Sequence, residues 1–130
     1  MKLAFNPAKG LIIVPVELRG LVSSGILRLA LDTGATGTLI NLAPLISPGY
    51  DPSLAPERVQ VTTGSGVEFA PRLPIIRILA LGCARENFPV LAHTLPPSAT
   101  VDGLLGLDFF RGGRLEVDFR AGIVQFEMSK

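Results

Sequence analysis

Asp32 ends the apolar run Leu29-Ala30-Leu31 and is followed by Thr33, Gly34 and Ala35. A carboxylate directly after leucines is costly to bury unless it is hydrogen-bonded, paired or used. The residues after it supply the means: a hydroxyl, then a glycine whose missing Cβ lets its backbone N–H come close. Such a loop can hold an ionised aspartate as an ordinary Asx-type turn does, and it can equally present that carboxylate to a reacting group. A second segment, VDGLLGLDFF from Val101 to Phe110, places two large apolar residues, Leu104 and Leu105, before Gly106. It reads either as a strand passing close beneath another backbone or as a plain strand, glycine turn and helix start.

Other chemistries find little support. The lone Cys83 has no disulfide partner in the chain, and the single histidine, His93, has no nucleophile or carboxylate near it in sequence, so it reads as a solvated or hydrogen-bonded strand-end residue. Without a thiolate or imidazole cluster at ligand spacing, no metal site and no cofactor are expected. A phosphorylated aspartate at Asp32 lacks the flanking lysine or second aspartate that such sites use. Lys and Arg total 12 against 11 Asp and Glu, for a net charge of +1, and no basic run appears, which argues against nucleic acid as a partner. The apolar stretch after Lys2 is too short for a signal-peptide core and no run approaches the about 18 residues of a membrane span. The expectation is a soluble, cytoplasmic chain.

The elements that must position Asp32 are short. A chain of 130 residues with 48% hydrophobic content supports one domain over residues 1–130, and 14 glycines with 11 prolines break it into segments rich in Val, Ile, Leu and Phe. This predicts a mostly β fold with strands at Leu11 to Leu18, Gly25 to Leu31, Thr38 to Asn41, Val59 to Thr63, Gly66 to Phe69, Leu73 to Leu81, Phe88 to His93, Arg114 to Phe119 and Ile123 to Phe126. Leu27, Leu29 and Leu31 share one strand face, and Arg28, Ala30 and Asp32 share the other. Leu115, Val117 and Phe119 alternate with charged residues before a tight turn, which predicts a hairpin with one wet face. The one helical segment expected is GLDFFRGG, with Asp108 in its first turn and Gly112-Gly113 as its stop. Ser47 to Glu57 reads as loop.

Taken together, LALDTGA at Leu29 to Ala35, TLI at Thr38 to Ile40, VQVTTGSGVEF at Val59 to Phe69 and DGLLGLDFF at Asp102 to Phe110 resemble, in content and order, the retropepsin-like aspartic proteases. The resemblance spans nearly the whole chain. It implies a single-domain closed β-barrel with a flap hairpin and one short C-terminal helix. It also implies that Asp32 is the catalytic aspartate, and that Thr33, Gly34 and Ala35 form its loop, Thr33 tying that loop to its twin in another subunit. Leu104, Leu105 and Gly106 then underlie the loop, and Thr63, Gly64, Ser65 and Gly66 form a flap tip that contacts substrate. The segment lacks a flap tyrosine or tryptophan, since the only tyrosine is Tyr50.

Aspartic protease chemistry needs two carboxylates that share a proton. Asp51, Asp102, Asp108 and Asp118 are followed by Pro, Gly, Phe and Phe, so the chain has no second Asp-Thr-Gly. The resemblance therefore implies a C2 homodimer with the active site at its interface and a peptide or protein as substrate. In the family the dimer is usually held by terminal strands, which makes the ends near Leu3 to Phe5 and Gln125 to Glu127 candidates. Pro15 fits best at an edge or bulge. The alternative is a peptide-binding or dimerisation module that keeps the fold and cuts nothing.

Overall fold

Val14, Val16 and Leu18 are fully buried and alternate with Ile13, Pro15, Glu17 and Arg19, which are not. This period of two repeats along the chain, and a sheet closed on itself gives all such buried faces a common interior. A computed structural model describes residues 1–63 and 66–128. Its strands are β1 (Lys2–Ala4), β2 (Ile13–Arg19), β3 (Ser24–Leu31), β4 (Leu39–Ile40), β5 (Glu57–Thr63), β6 (Gly66–Ala80), β7 (Cys83–Ala92), β8 (Gly103–Leu105), β9 (Gly113–Asp118) and β10 (Ile123–Met128). Strands β2, β3, β8, β4, β7 and β6 are neighbours in that order, and residues 16–19 of β2 pair with residues 77–80 of β6. That last pairing closes a six-stranded barrel.

Pro15 lies one residue before the β2–β6 pairing begins, so its missing N–H takes nothing from that ladder. The two strands expected at Gly66 to Phe69 and Leu73 to Leu81 are one continuous strand of 15 residues. Its first half pairs with β5 as a projecting hairpin, and its second half joins the barrel. Within it Pro74 faces Pro89 on β7, and on its other side residues 73–76 pair with neither β5 nor β2. Tyr50 occupies this gap. Its hydroxyl accepts the Ile76 N–H at 2.9 Å and donates to the Arg19 carbonyl, joining β6 to β2 where the ladder is interrupted. Burial pushes the phenol above its ordinary pKa, with the Ile76 N–H acting in the opposite sense. The segment read as loop thus carries a core residue, and also a 3-10 turn at Pro52–Leu54, where the Asp51 side chain accepts the Ser53 N–H.

The C-terminal helix α2 is the four-residue Leu107–Phe110 expected from GLDFFRGG, and a further four-residue turn of helix, α1, covers Ala43–Ile46 and buries Leu45. The terminal strands β1, β10 and β9 form a separate antiparallel sheet within one chain. Phe126 of β10 is 2% exposed and packs its ring 5.9 Å from Phe109 and 5.2 Å from Phe110, so this sheet seats α2 against the barrel. Among the described residues no helix is long and apolar enough to cross a membrane.

Candidate active site

β8 is the element on which the site is built. It runs parallel to β3, with Leu29 opposite Gly103, Ala30 opposite Leu104 and Leu31 opposite Leu105, and antiparallel to β4, with Leu39 opposite Leu104. The loop from Asp32 to Thr38 must therefore arch across the end of β8 to get from one neighbour to the other. The Asp32 N–H donates to the Leu105 carbonyl at 3.0 Å, and the Leu107 N–H donates to the Ala35 carbonyl at 2.8 Å. Within the loop, the Gly34 N–H donates to Asp32 Oδ1 at 2.9 Å, and the Ala35 N–H to the Asp32 carbonyl at 3.2 Å. The carboxylate is held at the rim, half-buried, with one oxygen oriented by a backbone donor. Thr33 and Gly34 are exposed beside it.

Gly106 follows β8 directly beneath this arch. A Cβ there would lie 2.7 Å from the carbonyl carbon and oxygen of Gly37 and 2.8 Å from the oxygen of Ala35. Leu105 is fully buried and Leu104 partly so. Before β8, Asp102 fastens the strand to β3: its N–H donates to the Arg28 carbonyl at 2.8 Å and its Oδ2 accepts the Arg28 N–H at 2.9 Å.

Two residues that sequence reasoning did not single out for the site complete it. Thr38, the one buried polar residue among those described, donates its hydroxyl to Asp108 Oδ1 at 2.7 Å and accepts the Gly106 N–H at 3.1 Å. Its backbone N–H donates to Asp108 Oδ2 at 3.0 Å. Asp108 was read as a first-turn helix acid, but its carboxylate ties α2 to the far end of the Asp32 loop. Nothing in the sequence marks this pair beyond a hydroxyl after Gly37 and an acid after Leu107. Replacing the hydroxyl by a methyl leaves the Gly106 N–H and one Asp108 oxygen without this partner in a buried place. Thr38→Val is accordingly expected to lower stability by about 2–3 kcal/mol, measured as a shift of the urea midpoint at constant slope.

The remaining expected site residues lie on the β5–β6 hairpin. Thr63 closes β5 opposite Gly66, which opens β6 at a φ of +132°, while Gly64 and Ser65 fall outside the described residues. Val61 and Glu68 of the hairpin, Leu39 of β4 and the segment from His93 to Pro97 line an open cavity of about 520 Å³ between the hairpin and the barrel. Cys83 is half-buried at the start of β7, after the Leu81-Gly82 turn. His93 is not without a carboxylate neighbour: its Nε2 lies 2.9 Å from Glu68.

The sequence family described as "Aspartyl protease" matches residues 14–109, from β2 through most of α2. The chain belongs to this family. As an aspartyl protease family member it also has a solved structural relative, a retropepsin-like aspartic protease from Rickettsia conorii, at a TM-score of 0.72 and 16% identity over 95% of this chain and 86% of the other. At that identity the likeness establishes the retropepsin-like fold, including the closed barrel described above. Comparison with curated protein sequences finds no match.

Proposed function

We propose that the chain is a homodimeric aspartic endopeptidase whose active site is formed by two Asp32 carboxylates, one from each subunit. The observation that carries this reading is the orientation of Asp32 at the rim of the β8 arch: one oxygen engaged by the Gly34 N–H, the group half-exposed, the loop fixed from below. Such an arrangement offers a carboxylate to a reacting group on a rigid base, and family membership favours peptide hydrolysis as the reaction.

The chemistry follows from sharing one proton between two carboxylates. The ionised Asp32 takes a proton from water as the oxygen attacks the scissile carbonyl, while the protonated Asp32 donates to the carbonyl oxygen. The resulting gem-diol then collapses, its proton passing back through a carboxylate to the leaving nitrogen. One carboxylate cannot serve as both base and acid in the same step, which is the reason for a second copy on a two-fold axis. On this reading Thr33 ties the two loops together and the β5–β6 hairpin, with Thr63 to Gly66 at its tip, is the flap that closes over substrate.

The test is cleavage of a peptide library by the native protein, with a pepstatin-type inhibitor alongside. Cleavage that the inhibitor blocks supports the reading. A demonstrated dimer that cuts no member of the library favours a binding module instead.

A further inference from the structure

His93 is fixed to the barrel, since its backbone N–H donates to the Ile40 carbonyl at 3.1 Å directly after the end of β7. Its ring faces two oxygens. Nδ1 lies 2.9 Å from the Thr94 carbonyl, and Nε2 lies 2.9 Å from Glu68 Oε2 on the hairpin. A carbonyl only accepts, so Nδ1 carries a hydrogen. With that hydrogen in place, a neutral imidazole turns a bare lone pair on Nε2 toward the Glu68 carboxylate, and the two repel. The contact therefore holds one additional proton, as imidazolium against carboxylate or shared between them.

The position of this pair gives it a consequence. Among the described residues β5 pairs with β6 alone, and the half of the hairpin that carries Glu68 lies beyond the part of β6 that joins β7. Glu68 is opposite Val61 and on the same face, so both look into the cavity walled on its other side by Leu39 and Leu95 to Pro97. Glu68 and His93 are the only charged or titratable groups among the described residues lining that cavity, which otherwise presents Leu39, Val61, Thr94, Leu95, Pro96 and Pro97. An ion pair at the base of the hairpin, Arg72 with Glu57 at 3.4 Å, links its two strands to each other and not to the barrel wall of the cavity.

We propose that Glu68 and His93 are positioning residues that form a proton-dependent latch, holding the hairpin down over the cavity when the pair carries its proton and releasing it when the proton is lost. As a device for admitting substrate, the latch rests on the endopeptidase reading. The hairpin is therefore held on the acid side, where the pair keeps its proton, and freed on the basic side. The side chains are 24% and 52% exposed, so the effect is modest, as for partly solvated ion pairs generally.

The experiment uses the Asp32→Asn protein, in which no catalytic dyad titrates. Amide exchange is measured at residues 59–62 and 67–70 at about pH 5.5 and about pH 8. Corrected for intrinsic rates, protection there falls about two- to fivefold at the higher pH. Adding Glu68→Gln abolishes the fall, because an amide can accept from the imidazolium and donate to bare Nε2. As the chain has one histidine, ¹⁵N shifts read its ring without ambiguity, and at about pH 8 they place the remaining hydrogen on Nδ1. Equal protection at both pH values, an undiminished fall in the Glu68→Gln protein, or the hydrogen on Nε2 overturns the latch. Intact latch behaviour in a protein whose native form cuts no peptide overturns the endopeptidase reading and leaves the latch standing.

Discussion

On the endopeptidase reading, Asp32→Asn is expected to lower peptide cleavage by at least about 10³-fold while leaving the fold unchanged. Asparagine has nearly the shape of aspartate, and its carbonyl oxygen accepts the Gly34 N–H in place of Asp32 Oδ1. What it removes is the proton chemistry: an amide neither takes a proton from water nor returns one to the scissile carbonyl. In the proposed dimer one substitution removes both members of the dyad, so no partial base or acid survives. Because Asp32 is half-exposed, the change in stability stays within about 0.5 kcal/mol. Initial rates on a cleaved peptide, with thermal unfolding of both proteins, separate the two effects. Retained activity at unchanged stability sinks the assignment of Asp32.

Gly106→Ala has the second largest expected effect, and its cause is space. Gly106 has a φ of −93°, a conformation open to any residue. Its added methyl, however, meets the backbones of Gly37 and Ala35 at 2.7 and 2.8 Å, and these are part of the arch that carries Asp32. Backbone cannot rotate aside as a side-chain tip can, so the loop is pushed off β8 and the 2.8 Å Leu107–Ala35 hydrogen bond lengthens. The expected destabilisation is about 1–3 kcal/mol. Cleavage falls about 10²-fold even where the protein remains folded, since reacting groups displaced by about 1 Å lose that much. Gly25→Ala is the control, because a Cβ at Gly25 has nothing within 4 Å. Equal effects of the two substitutions on rate and stability would refute this account of Gly106.

The parts of the fold legible in the sequence are those set by local pattern. Alternation marks β2, β3, β9 and β10, and the glycines and prolines place most turns. The continuity of β6 is not legible locally because Pro71 falls between its two apolar runs, where a proline ordinarily marks a strand end, and the residue that bridges β6 to β2 beyond it, Tyr50, comes from a segment with loop composition. The same limit applies at the site. The Asp32 turn is a three-residue event and can be read from its residues. The Thr38–Asp108 hydrogen bond joins positions 70 apart, and Glu68 with His93 joins positions 25 apart. Their meeting is decided by which strands pair across the barrel, and no single stretch of chain encodes that.

On the proposed reading Asp32 works only as a pair across a two-fold axis. Native and Asp32→Asn chains, mixed at constant total concentration and allowed to exchange subunits, test it directly. If two intact carboxylates are required, activity follows the square of the native fraction, and an equal mixture retains about one quarter of it. A linear dependence, with about one half retained in chains shown to have exchanged, would mean that each Asp32 acts alone and would contradict the account.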